Sequence, residues 1–401
     1  MGRQGAWKQG NAADSSPVLP RRLFLLRLTI LVAFCVGLVM SPGLWMGPRS
    51  YPQAPVWWLL PPIEGAAAAV LYGALFVLAG LALIIPRARW PVAGFLAVMV
   101  AFCLADQTRW QPWVFQYSFL LAVVGLDRDG SAAKSDDLRT LNLARLVIAF
   151  TYIFSGLQKV NLNFMEHEFS WIVTPITRLL PSMTTPLDAL GFLVPFVQVA
   201  FGVGLLTRRF RRISLAAAVG MHVFILAMFG PLGLNWNDIV WPWTAAMAVF
   251  DVLLFSSSDE FTWRDIVWNV RDLRHGVAVA LFVVLPALSF LNLWDSYLSS
   301  ALYSGNLTEA QIYLSDLGAA SAPSGVRPYL VHTSANTNVL NLQRWAIEDL
   351  NVTPYAETRV FKTIAENLCQ ALRDGNQLVL VVREQRLFFS RPEAGFRCSQ
   401  L

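Results

Sequence analysis

Residues 65–85 read GAAAAVLYGALFVLAGLALII, a run without a single charged side chain. As a helix rising 1.5 Å per residue, such a run covers about 30 Å, the thickness of a bilayer's hydrocarbon core. The same kind of run recurs on both sides of it. Toward the N-terminus lies Leu23–Met40. Toward the C-terminus follow Pro91–Leu104, Pro112–Leu126, Leu141–Lys159, Pro186–Leu206, Ile213–Gly230, Ile239–Phe255 and Val277–Trp294. Backbone polar groups in hydrocarbon must be satisfied within the segment, so helices are the expected conformers. The pattern predicts an all-α polytopic bundle of about nine transmembrane helices, the third being the shortest.

Composition agrees. The chain has 401 residues, 55% hydrophobic and only 14% charged, where a soluble domain carries nearer a quarter. The deficit is confined to the stretch before Asp295, and three parts are expected. Residues 1–22 form a polar cytoplasmic tail, 23–295 the transmembrane domain, and 296–401 a small α+β domain. The first apolar run is long and ends without a small-residue cleavage site, so it reads as a retained span. Net charge is +5, but the arginines sit beside apolar runs and no basic stripe is interleaved with aromatics, so nucleic acid is not an expected partner. The bilayer is.

Cytoplasmic loops of membrane proteins collect Lys and Arg. With the N-terminus inside, the inner segments hold Arg3, Lys8, Arg21, Arg22, Arg87, Arg89, Arg128, Lys134, Arg139, Arg208, Arg209, Arg211, Arg212, Arg264, Arg271 and Arg274. The outer loops hold Arg49, Arg109, Lys159 and Arg178. That asymmetry places the C-terminal domain outside the cytoplasm. Within it, Ala310–Leu314 reads as a strand, Val339–Leu350 and Glu357–Arg373 as helices, and Leu378–Val382 with Arg386–Ser390 as a hairpin after the stop signal Asp374-Gly375. Cys369 and Cys398 lie in this domain and are expected to form a disulfide, since the compartment permits it. Cys35 and Cys103 fall in spans and read as small apolar packers.

There is no phosphate-binding loop, no dinucleotide fingerprint, no HExxH and no GxSxG. The four histidines have no ligand spacing, and no metal is predicted. Chemistry therefore has to come from polar residues in the spans, which are costly there and default to functional hypotheses. In the fifth span Tyr152, Ser155, Gly156 and Lys159 share one helix face. Only four of the 31 basic residues are lysines, and lysine, unlike arginine, can lose its proton when desolvated. The competing account of Lys159 is a side chain that snorkels to the headgroups. Gln198 and His222 fall near mid-membrane in the sixth and seventh spans, as polar bonds between helices or as the lining of a cavity. Asp106, Trp110 and Trp113 gather before the fourth span, and Asn235, Trp236, Asn237, Asp238, Trp241 and Trp243 before the eighth. An aromatic belt explains most of these tryptophans, whereas Asp106 and Asp238 need partners. Arg109 and Lys159 are on their side of the membrane, and Asp106, Asp238 or Glu166 would oppose loss of the Lys159 proton.

At these residues the chain resembles the HTTM family, the membrane domain shared by vitamin K-dependent gamma-carboxylase and its bacterial relatives. The resemblance rests on Ser155-Gly-Leu-Gln-Lys159-Val-Asn161, on Asp106-Gln-Thr-Arg-Trp110, and on the stretch from Met221-His222 through Asn235 to Trp241-Pro-Trp243. It spans roughly Arg22 to Gly305. It implies a multi-pass protein of a bacterial inner membrane with an extracytoplasmic C-terminal domain, a vitamin K-like quinol as cofactor, and Lys159 as the general base that deprotonates it. Tyr152, Asn161, Asp106, Trp110, Gln198, His222, Asn235 and Asp238 are the expected supporting cavity. Two departures bear on carboxylation: Trp113 stands where the family carries a catalytic histidine, and the peptide-holding region is reduced to about a hundred residues. A weaker resemblance to DoxX-type redox proteins covers Ser155–Lys159 and Gly202–Thr207. The alternative function is a non-enzymatic scaffold or redox-complex component whose outer domain binds a protein or peptide. A quinone-sized cavity beside Lys159 would favour the enzyme, and a packed interior the scaffold.

Overall fold

A computed structural model describes residues 18–126, 134–257, 261–268, 272–333, 337–372, 375–384 and 393–401. The chain is mostly helical, with a small C-terminal sheet. Among the described residues, the helices that overlap the expected spans are α1 (Val18–Met40), α2 (Gly65–Ile84), α3 (Trp90–Ala105), α4 (Pro112–Gly125), α5 (Lys134–Gln158), α6 (Val194–Leu205), α7 (Arg211–Phe229), α8 (Val240–Phe255) and α9 (Leu273–Leu291). Among the described residues five of them, α1, α2, α5, α7 and α9, are long and apolar enough to cross a membrane. α3, α4 and α8 are shorter, at 16, 14 and 16 residues.

Two expected spans are corrected. Pro186–Leu206 is not one helix. Pro181–Leu190 and Val194–Leu205 meet at a 54° bend, in a stretch carrying Pro186, Gly191 and Pro195. A Cβ at Gly191 would come within 2.7 Å of the Met165 carbonyl, so the bend packs closely. Val277–Trp294 ends earlier, at Leu291, and is interrupted by a π turn over Ala280–Val284 just before Pro286. Proline offers no N–H to the residue four back, and a wider turn absorbs the missing bond.

α5 is the central helix and far more buried than the peripheral α2. Glycines let α6 lie directly on it. A Cβ at Gly156 would come 2.8 Å from the Pro195 carbonyl, and one at Gly202 3.1 Å from the Ile153 nitrogen. Small residues at such crossings let backbones approach. The outward faces of α2 and α7 expose Val70, Val77, Ile213 and Val223, a surface suited to lipid and not to water.

Among the described residues the C-terminal domain is a five-stranded antiparallel sheet in the order β2-β3-β1-β4-β5. Its strands are β1 (Glu309–Leu314), β2 (Leu330–His332), β3 (Asn338–Leu340), β4 (Leu378–Arg383) and β5 (Glu393–Arg397). Leu378, Leu380 and Val382 alternate inward on β4, as a half-buried strand requires. The helices α10 (Leu342–Leu350) and α11 (Thr358–Ala371) share its core, α11 burying Val360, Phe361, Ile364 and Leu368. The helix expected from Val339 begins at Leu342 instead. Asn341 caps it by accepting from the Arg344 N–H, and the residues before it extend into β3. The partner of β4 is Glu393–Arg397, and the expected Arg386–Ser390 strand and Asp374 lie outside the described residues. Cys369 and Cys398 form the expected disulfide, tying α11 to the final segment. Cys35 and Cys103 are free, Cys103 fully buried.

This domain is docked on the ends of the helices near Met40, Gln107 and Asp295. Arg359 reaches Asp295 and, through Nε, the Gln107 side chain at 2.6 Å. Glu357 accepts from the Ser296 N–H and hydroxyl. Asp349 accepts from the Ser50 and Tyr51 N–H groups, and Asn351 donates to the Met40 carbonyl.

Candidate functional site

A cavity of about 480 Å³ opens between α5, α6, α7, α8 and the segment 164–193. Its walls are mostly aliphatic and aromatic, and few polar groups reach it: Tyr152, Ser155, Lys159, Gln198 and His222 are the main ones. Leu190, Leu193 and Val197 line it while remaining about half exposed. The mouth therefore lies on the apolar exterior, beside the bend in the sixth segment. Volume and lining are those of a small-molecule site.

The face predicted on α5 is the one that meets the cavity. Tyr152, Ser155 and Lys159 line it, and Gly156 turns to α6. Lys159 folds back along its helix, donating from Nζ to the Ser155 hydroxyl at 2.7 Å and carbonyl at 3.0 Å. The Phe164 ring lies 5.7 Å from Nζ. Among the described residues no carboxylate forms an ion pair with Lys159. Glu168 is the acid whose field reaches it, and not Asp106, Asp238 or Glu166 as expected. Gln198 is 6% exposed, lines the cavity and makes no hydrogen bond among the described residues.

The deep wall holds a cluster the sequence reading met only in part. The Tyr152 hydroxyl is 2.6 Å from His222 Nε2 and donates to Asp251 Oδ2 at 2.7 Å. Asp251, on α8, is fully buried and was missed. The available signal was a lone carboxylate in the apolar run Val240–Phe255, but the nearer Asp238, in an outer turn rich in tryptophan, drew the assignment.

The remaining expected residues do other work. Asp106 is fully buried between the end of α3 and the start of α4. It meets Arg49 at 2.7 Å and accepts from the Ala54 N–H and from Thr108. Burial pushes its carboxyl up, but Arg49, Arg109 and these hydrogen bonds outweigh that and hold it below the usual range. Trp110 packs at the rim of the helical core. Trp113 is core as well, edge-on to Phe34 and Trp45, with Gly37 making room for its ring. Asn161 ties the end of α5 to the Ser304 carbonyl and caps the next turn at Phe164. Asn235 is exposed with φ +48°, so it serves the turn before α8. Asp238 is half-buried and does not line the cavity.

A second cavity, about 470 Å³, lies at the seam with the C-terminal domain and is lined by His167, Glu168, Tyr297, Glu309 and Gln343 among others. Leu302 and Tyr303 line both cavities. Tyr303 is held by Trp171 and Phe229 and by a bond from Asn237 to its hydroxyl. Among the described residues no group of three His, Cys, Asp or Glu side chains is placed to hold a metal. Comparison with protein-family models, with curated proteins and with solved structures finds no match to this chain.

Proposed function

We propose that this chain is an HTTM-type membrane protein that binds a lipophilic quinol in the cavity and uses Lys159 as its general base. The observation that carries the reading is the Lys159 amine itself. It stands on the wall of a mostly apolar cavity, held by a hydroxyl and a carbonyl and, among the described residues, by no acid within ion-pair distance. Such a site can take a proton from a ligand hydroxyl because burial disfavours the charged amine and Glu168, the acid whose field reaches it, makes no ion pair with it among the described residues.

The walls fit the ligand class. Phe201, Phe229 and Met247 offer ring-sized apolar surface, and the unpartnered Gln198 amide offers a hydrogen bond to an oxygen. When bound, a quinol supplies two ionisable hydroxyls on a ring that can give up two electrons. The chain's own part is to orient that ring, exclude water and accept a proton at Nζ. The reading stops short of peptide carboxylation: Trp113 lies in packed core away from the cavity, and the outer domain is small.

The accompanying topology is nine spans in a bacterial inner membrane, N-terminus cytoplasmic and outer domain extracytoplasmic. It is supported by the placement of the nine apolar helices and by the uneven basic loops. The scaffold alternative, with a protein or peptide partner on the outer domain, calls for a packed interior, and a cavity of this size argues against it. The test is mass spectrometry of lipids co-purifying with the intact protein, repeated on Lys159→Ala. A quinone retained by the native chain and depleted from the variant supports the reading. Its absence from both, after quinone has been supplied to the membranes, overturns it.

A further inference from the structure

Resting on that reading, we propose that Tyr152, backed by Asp251, is a second polar pole of the cavity. It holds the other oxygen of a two-oxygen ring, so that the ligand is fixed at both ends.

Three helices deliver the cluster: Tyr152 from α5, His222 from α7 and Asp251 from α8. The hydroxyl sits 2.6 Å from His222 Nε2 and 2.7 Å from Asp251 Oδ2. Tyr152 and His222 line the cavity and Asp251 does not, so the carboxyl lies behind the two rings. A phenol has one proton and two lone pairs. Its proton serves Asp251 and one lone pair faces His222, which leaves one acceptor for a ligand hydroxyl.

The ends of the cluster are open. Among the described residues, Asp251 Oδ1 and His222 Nδ1 are buried without a hydrogen-bond partner, and no Lys or Arg makes an ion pair with Asp251. A network kept only to join helices would satisfy its buried ends. Spacing points the same way. Tyr152 and Lys159 are two turns apart on one face, about 10 Å of helix, and the Lys159 amine shortens that gap by folding back to Ser155. The two poles thus bracket the stretch of wall at Ser155, whose hydroxyl is already engaged by the Lys159 amine.

Proton transfer through the pole balances. A proton accepted by the Tyr152 oxygen is matched by the phenol proton passing to Asp251 Oδ2. One O–H bond breaks on the ligand, one forms on the carboxyl, and the negative charge moves from the carboxylate to the ligand oxygen.

The experiment uses the full-length protein in detergent under anaerobic conditions, with 1,4-naphthalenediol and 1-naphthol as probes. The native chain should bind the diol about tenfold tighter, the worth of one hydrogen bond. Tyr152→Phe and Tyr152→Met, which remove the phenol oxygen, should bring the two probes within about twofold of each other. A helix-joining role would not move that preference. Diol preference retained in either folded variant, or missing from the native chain that still binds both probes, overturns the second pole alone. If the native chain binds neither probe, the quinol reading falls with it.

Discussion

The Lys159 amine lies 2.7 Å from the Ser155 hydroxyl, one turn back on the same helix, and that bond turns it into the cavity instead of out to the headgroups. A lysine anchored in the interface would extend away from its helix to reach phosphate. The two roles separate on substitution. Lys159→Arg keeps a cation but cannot give up its proton, so a base is lost where an anchor is kept. Complementation of a deletion, with membrane levels checked by blot, should fail for Lys159→Arg and Lys159→Ala alike. Purified turnover should fall by about 10²–10⁴, the usual contribution of a general base. Ser155→Ala leaves the amine in place without its guide, and should cost less than either. Full complementation by Lys159→Arg would leave the scaffold alternative ahead.

Asp106 and Arg109 make a different prediction, about stability. Arg109 is buried, donating to the Leu44 and Phe102 carbonyls. Burial pushes its pKa down, to about 10, against the support of Asp106. Removing one partner of a buried pair strands the other, at a cost of about 3–5 kcal/mol. Asp106→Asn should therefore lower the melting temperature in detergent, while a probe bound in the cavity keeps its affinity at temperatures where the variant is folded. Because the folded carboxyl is held below its ordinary value, its contribution is present above about pH 4 and lost as pH falls through the folded value. An unchanged melting temperature would show the pair to be dispensable.

Reporter fusions test the topology. A fusion after Arg212 or Asp272 should report cytoplasm, and one at Leu401 the opposite side. The argument is the excess of basic residues in alternate loops. A cytoplasmic signal at Leu401 would make the span count even and place the outer domain on the wrong face.

The helices were legible because each is announced by a run of apolar residues, and the α5 face because Tyr152, Ser155 and Lys159 obey helical spacing. The break at Gly191–Leu193 was not, since apolar composition runs through it unchanged. β2 and β3 are three residues each, too short for an alternation to stand out. The site was legible one helix at a time. Which polar residues share a cavity depends on how helices are rotated against one another, and adjacency in sequence carries none of that. Asp106 therefore joined the list although Arg49 and Arg109 already satisfy it, and Asp251 stayed off it although it touches Tyr152.

Glu357 gives the last prediction, at the seam between the helices and the outer domain. Its Oε1 accepts from both the Ser296 N–H and the Ser296 hydroxyl, just beyond the end of α9. Burial and the neighbouring Asp295 push its carboxyl up from 4.5 to about 7, against the hydrogen bonds from Ser296 and the Arg359 charge. The unfolded chain gives up this proton near its ordinary value while the docked domain still holds it. Between about pH 4.5 and 7 the folded state thus binds more protons, and stability falls as pH rises through that window. Above it the full penalty remains, on the order of 1–3 kcal/mol. Glu357→Gln keeps an oxygen for Ser296 and removes the charge. It should melt higher than the native chain at pH 7.5, match it near pH 5, and flatten the slope between. Arg359 supplies a contrast, because it spans Asp295 and Gln107 across the same seam. Arg359→Gln should steepen the dependence by leaving the two acids unopposed. Melts of the three proteins in detergent from pH 4.5 to 8 decide it, and a native profile that rises with pH through this window would refute the assignment.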